Sequence, residues 1–204
     1  MTKTLNIKTL IRDLHLYTGL FICPFVLIFA FSTILLNHTW KPWSKKTKEP
    51  TVTVPMAASL PDSLTKLEKV EWIRDQIGIS GEASNLFHNG NMINTQITRP
   101  GEQYLVWADV EAGTANVTKV SEGFWDRLIY LHKTPGPHLA GFRGNWVFVQ
   151  IWRALGDLTV ALLLFSTASG IYLWLLIRAQ RRAGLLLLGG GAATFILLIT
   201  LLTA

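Results

Sequence analysis

The chain has 204 residues, a formal net charge of +6, 50% hydrophobic residues and one cysteine. A single cysteine excludes an intrachain disulfide, and apolar residues gathered into long blocks exclude an ordinary water-soluble domain. The positive residues flank those blocks, so the basic balance is assigned to lipid headgroups and membrane topology, and nucleic acid is not expected as a partner.

Residues 1–13 include Lys3, Lys8 and Arg12 and read as a cytoplasmic N-terminus. From Leu14 to Trp40 there is no Asp, Glu, Lys or Arg, more than the roughly 20 residues an α-helix needs to cross the hydrocarbon. Residues 14–38 are therefore the first transmembrane helix. The run exceeds a signal-peptide core of about 7–15 residues and no small-x-small site follows Leu36, so the helix is expected to be retained. Cys23 reads as a small packing residue, and Pro24 should bend the helix.

Residues 39–145 hold most of the charge and are long enough for one small domain. Lys41 to Pro55 reads as an extended connector. Pro61 to Ile77 mixes Leu64, Leu67, Glu71, Trp72 and Ile73 at helical spacing, with Gly78 placed to close the helix. Short alternating runs follow: Ile93, Thr95 and Ile97, then Tyr104 to Val110, then Ala115 to Val120. Asn89-Gly90, Arg99-Pro100-Gly101 and Glu111-Ala112-Gly113 are suited to hairpin reversals, which predicts an antiparallel meander packed on a helix. Glu122 to His132 reads as a second short helix with an apolar face, and Trp146, Phe148 and Trp152 as headgroup-level aromatics lying along the outer membrane surface.

Residues 146–177 form the second transmembrane helix with its interfacial start, 178–182 a short cytoplasmic loop, and 183–204 the third transmembrane helix. Arg178, Arg181 and Arg182 in the short loop place it, and the N-terminus, in the cytoplasm. The fold class is a membrane protein of three transmembrane α-helices with an extracytoplasmic α+β domain between helices one and two, which fits a bacterial inner membrane with a periplasmic domain. Gly189-Gly190-Gly191, with Gly184 and Ala192 nearby, allows close helix approach. No hydrolase motif, P-loop or dinucleotide fingerprint is visible.

Leu14-His15-Leu16-Tyr17-Thr18-Gly19-Leu20 and Ser32-Thr33-Ile34-Leu35-Leu36-Asn37-His38 on the first helix resemble the PepSY-associated transmembrane family. Leu131-His132-Lys133, Gly156-Asp157-Leu158 and Ser169-Gly170-Ile171-Tyr172-Leu173-Trp174 resemble its second half, and the helix-plus-meander domain is similar in pattern to a PepSY module. The resemblance brackets nearly the whole chain and is to a short, three-span branch. It implies kinship with inner-membrane b-type haem reductases that serve iron and siderophore uptake.

His15 and His38 are 23 residues apart on one helix, about 34 Å at 1.5 Å per residue, close to the hydrocarbon thickness. A haem iron needs axial imidazoles in an apolar setting. The expected outer pair is His38 with His132, both as haem-iron ligands; His138, in the Pro135-Gly136-Pro137 turn, is the less favoured partner. His15 is the inner candidate, and its second ligand would come from another copy or subunit. His88 reads as an ordinary loop residue. Arg153 and Asp157, spaced i, i+4, read first as a mutual ion pair; the alternative has Arg153 holding a haem propionate or anionic substrate group and Asp157 orienting a histidine.

The first expected function is haem b-dependent electron transfer to an extracytoplasmic acceptor such as a ferric chelate, as a component of a membrane ferric or siderophore reductase. Its electrons would come from a quinone or a separate protein. The second is a non-catalytic accessory subunit that docks in a larger membrane complex or a homo-oligomer and uses the PepSY-like domain for interaction. Peptidase regulation, by analogy with other PepSY domains, is a third.

Overall fold

The structure is a computed structural model and describes residues 6–38, 46–57, 60–61, 63–134 and 144–203. Its elements are α1 (Ile7–Asn37), β1 (Thr47–Lys48), β2 (Val52–Pro55), α2 (Lys66–Gln76), β3 (Glu82–Asn89), β4 (Met92–Arg99), β5 (Glu102–Asp109), β6 (Thr114–Ser121), α3 (Phe124–Lys133), α4 (Val147–Leu175) and α5 (Arg181–Thr203). A one-turn 3₁₀ helix, Arg178–Gln180, joins α4 to α5. Three helical stretches, Ile7–Asn37, Val147–Leu175 and Arg178–Thr203, are long and apolar enough to cross a membrane. The chain is a membrane protein.

Helix α1 starts seven residues before the uncharged run, because Asn6 opens it: its carbonyl accepts from the Leu10 N–H and its Oδ1 from the Lys8 N–H. The helix continues through Pro24. Cys23 is a free thiol exposed on the surface of α1. Trp146 immediately precedes α4, while Phe148 and Trp152 lie in its first turns, not along a separate surface segment.

The chain divides into two units, residues 26–157 and residues 1–25 with 158–204. In the first, an antiparallel sheet has the order β1-β6-β5-β4-β3, with β2 also paired to β6. Period-2 side-chain alternation puts one set of residues on one face. Across the strands Ile93 pairs with Ala108 and Ala108 with Ala115, and one step along Thr95 pairs with Val106 and Val106 with Val117. Ile73 of α2 joins these apolar residues and Ile97 in the core. Thr95 is buried among them, and its hydroxyl donates to the Asn85 carbonyl at 2.7 Å. That carbonyl sits beside a register shift between Ala83 and Asn85.

Helix α2 begins at Lys66, later than the expected Pro61, because a capping box sets its start. The Glu68 N–H donates to Thr65 Oγ1, and the Thr65 N–H donates to Glu68 Oε2. Gly78, at φ +67°, follows the helix as expected.

Three strands escaped the sequence reading. The segment read as a connector supplies β1 and β2, which add to β6, and a strand, β3, precedes the Asn89-Gly90 turn. His88 is therefore an exposed strand residue paired with Ile93, not a loop residue.

Strand β3 lies at the sheet edge, where unpaired backbone groups invite other strands. Asn145 covers its first turn-proximal residues: Ala83 N–H donates to Asn145 Oδ1, and Asn145 Nδ2 donates back to the Ala83 carbonyl, both at 3.0 Å. The side-chain amide thus imitates a neighbouring strand just before α4 begins. Arg74 Nη1 also donates to the Asn145 carbonyl at 3.3 Å, tying α2 to the same point.

Candidate functional site

Within the unit of residues 26–157, the site residue with the best-defined setting is His132, in the last turn of α3. Its Nδ1 is 2.9 Å from Ser32 Oγ of α1. Ser32 is fully buried, and its hydroxyl also lies 2.9 Å from the Phe29 carbonyl one turn earlier. A hydroxyl has one proton. Given to Phe29, that proton leaves the serine oxygen as an acceptor, so Nδ1 of His132 is the donor and, in the neutral ring, Nε2 carries the lone pair.

Aromatic rings enclose this pair. Phe29 meets His132 edge-on with centroids 5.8 Å apart, and Trp152 of α4 lies 6.0 Å from Phe29. Trp152 Nε1 donates to the Leu131 carbonyl at 2.9 Å, which fixes the indole beside the histidine. Phe31 and Trp125, at 5.6 Å, extend the apolar contact between α1 and α3.

His38 follows the last residue of α1. It is exposed, and its backbone N–H donates to the Ile34 carbonyl at 3.1 Å. Six residues separate it from Ser32, about 9 Å along a helix and about 120° around it. Among the described residues, His132 meets Ser32 and Phe29. His138 lies outside the described residues.

The other unit repeats the device. His15 Nδ1 is 2.9 Å from Ser169 Oγ of α4, and that hydroxyl lies 2.7 Å from the Phe165 carbonyl. The same proton count makes Nδ1 of His15 the donor. Gly170 provides the room: a Cβ there would lie 3.3 Å from His15 Cε1. The serine and glycine together form a slot for one imidazole.

This donor chemistry fits haem. An axial imidazole offers one ring nitrogen to iron while its other N–H is held by an acceptor, which sets tautomer and ring orientation. His132 with Ser32 and His15 with Ser169 both meet that requirement. Among the described residues, no group of three or more His, Cys, Asp or Glu is placed to hold a metal ion.

Arg153 and Asp157 are both exposed on α4, and no ion pair joins them, which corrects the expected i, i+4 bridge. Both side chains are exposed, and holding the long Arg153 side chain in one geometry costs entropy that an exposed pair repays poorly. A cavity of about 390 Å³ is lined by Arg74, Asp75, Ile79, Ser80, Gly81 and Trp146, among others; none of the expected site residues lines it.

Sequence reasoning missed Ser32, Ser169 and Gly170 as partners of the histidines. Their signal was a serine or glycine inside an otherwise apolar helix.

Three helices long and apolar enough to cross a membrane, with an antiparallel sheet domain between the first and second, define a class: membrane-anchored sheet proteins, here with one serine-held histidine in a span and one in the helix after the sheet. The PepSY_TM-like family model matches residues 9–204, and the chain belongs to that family. No curated protein and no solved structure matches the chain.

Proposed function

We propose that the chain is a membrane-anchored b-type haem protein that passes electrons to an extracytoplasmic acceptor such as a ferric chelate. The observation that supports this most directly is that His132 and His15 each rest Nδ1 on a serine whose own proton is engaged by a helix carbonyl. Each ring then offers Nε2, the atom an axial ligand needs. His132 is the principal ligand, with His38 as its partner; His15, seated against Ser169 and Gly170, is the ligand of a second site whose other imidazole comes from another copy or subunit. Arg153 is the cation available to a propionate or an anionic substrate group. Haem, when bound, supplies one-electron chemistry at iron. The electrons come from a quinone or a separate protein. On this reading the Arg-rich link between the last two helices is cytoplasmic, the membrane is a bacterial inner membrane, and the sheet domain is periplasmic.

The test is the absorption spectrum of the chain purified after expression with haem available, oxidised and dithionite-reduced. A Soret band with low-spin bands on reduction is expected; the signal should fall in His132→Ala and in His38→Ala, the remainder belonging to the His15 site, and stay unchanged in His88→Ala. Absence of a Soret band, or one indifferent to His132→Ala, would refute the proposal.

A second reading, a non-catalytic accessory subunit with the sheet domain as its interaction module, draws on α5. None of its described residues is buried, and a Cβ added at Gly189, Gly190 or Gly191 would meet nothing within 4 Å. Glycine costs about 1 kcal/mol relative to alanine in a helix interior, and in membranes small residues mark faces where helices meet. Gentle detergent extraction should then retain a stoichiometric partner; a chain that runs alone at every detergent level contradicts this reading.

A further inference from the structure

The basic residues of the unit formed by 1–25 and 158–204 converge on one end of it. His15 meets Ser169, and four residues later on α1 a Cβ at Gly19 would lie 4.0 Å from Ser166 Oγ, three residues earlier on α4. The two helices therefore run antiparallel. Moving from the His15–Ser169 contact toward the start of α1 and toward the end of α4 leads to the same end.

Lys8 lies about 10 Å along α1 from that contact and the end of α4 about 9 Å along its own axis. The start of α5 is held beside the end of α4. Arg181 Nε donates to the Leu175 carbonyl at 2.9 Å, Trp174 Nε1 donates to the Gln180 carbonyl at 3.3 Å, and the Trp174 ring packs where a Cβ on Gly184 would stand. Lys8, Arg12, Arg178, Arg181 and Arg182 thus share one end, and all are exposed. The only carboxylate among the unit's described residues is Asp13, which pairs with Arg12 at 3.0 Å.

Exposed Tyr17, with Tyr172 and Trp174, lies between this end and the apolar middle of the spans, the position of an interfacial aromatic belt. The cations therefore stand at headgroup depth or just beyond it. Guanidinium groups pair with phosphate oxygens through two parallel N–H bonds, and a cluster of this size next to a membrane helix attracts anionic lipid at about 1 kcal/mol per cation.

We propose that this end of the unit, through Lys8, Arg12, Arg178, Arg181 and Arg182, is a binding site for the phosphate of anionic phospholipid headgroups. Bilayer lipid is the occupant because the site rims three membrane-crossing helices and faces the headgroup layer.

The test follows the thermal midpoint of the full chain in a mild neutral detergent, titrated with phosphatidylglycerol or phosphatidylcholine. Phosphatidylglycerol should raise the midpoint by roughly 5 °C more than phosphatidylcholine, as preferential binding to the folded state requires. About 0.5 M NaCl should erase the difference. The Lys8→Gln/Arg12→Gln/Arg178→Gln/Arg182→Gln variant should lose the difference, and Arg178→Lys/Arg182→Lys should keep most of it. Equal midpoints with the two lipids, a difference indifferent to salt, or a neutralised variant that still prefers phosphatidylglycerol would overturn the proposal. If about 10 mM inorganic phosphate alone reproduces the shift, the ligand is a soluble phosphate and the lipid assignment fails. Should the neutralised variant not fold, the lipid and salt comparisons on the native chain decide.

Discussion

Nδ1 of His132 and Oγ of Ser32 lie 2.9 Å apart although 100 residues separate them in the chain. The contact joins α3, which follows the sheet, to α1, which precedes it, and so closes the first unit around its domain. Ser32 is fully buried, so the bond holds the His132 ring through Nδ1.

Removing the acceptor should expose its worth. Ser32→Ala leaves Nδ1–H of His132 without its partner and should cost about 1 kcal/mol, the scale of interhelical hydrogen bonds in membrane proteins. His132→Ala should cost a similar amount, and the double variant less than the two together. Equilibrium unfolding in mixed micelles measures all three; strictly additive costs would mean that the two side chains do not act as a pair.

The slot for His15 makes a contrasting forecast about glycines. At Gly170 a Cβ would stand 3.3 Å from the imidazole, whereas at Gly189 it would meet nothing. Gly170→Val should therefore lower stability by about 2 kcal/mol through overpacking, and Gly189→Val by about 0.5 kcal/mol or less in the isolated chain. In a His15→Ala background the cost at Gly170 should shrink. The same unfolding assay reads this, and equal costs at both glycines would deny the slot.

Acid should weaken the sheet domain through Glu102. Burial raises this carboxyl, but hydrogen bonds from the Tyr104 hydroxyl at 2.7 Å and Arg99 Nε at 2.6 Å, with Lys119 nearby, outweigh burial and hold it below the ordinary carboxylate range. A carboxyl lowered on folding stabilises above its unfolded value of about 4.3, and the benefit disappears as pH falls through the folded value. Glu102→Gln should thus cost about 1 kcal/mol at neutral pH, limited by solvent screening of the part-exposed Arg99. The difference between variant and native chain should close on acidification below about pH 4. Unfolding followed by the sheet's circular dichroism from neutral to acid pH checks the sign; a gap that widens in acid would contradict it.

Much of the architecture was legible in the residues because it rests on local properties. An uncharged run as long as Leu14 to Trp40 can be read as a span, since hydrocarbon excludes charge whatever the neighbours. Ile93, Thr95 and Ile97, with a glycine turn on either side, can be read as a strand for the same reason: alternation and turn chemistry need no distant partner. Thr47–Lys48 is too short to carry a pattern, and in Val52–Pro55 the alternation of Val52, Thr53 and Val54 is cut short by Pro55. They exist because β6 offers an edge to pair with.

The histidines divide along the same line. Their place at the ends of apolar helices is a matter of sequence position. That His132 finds Ser32 and that His15 finds Ser169 across 154 residues were decided by packing. Hydropathy and period are properties each segment carries alone, whereas a hydrogen bond between two helices depends on their register and rotation, which only the assembled fold sets.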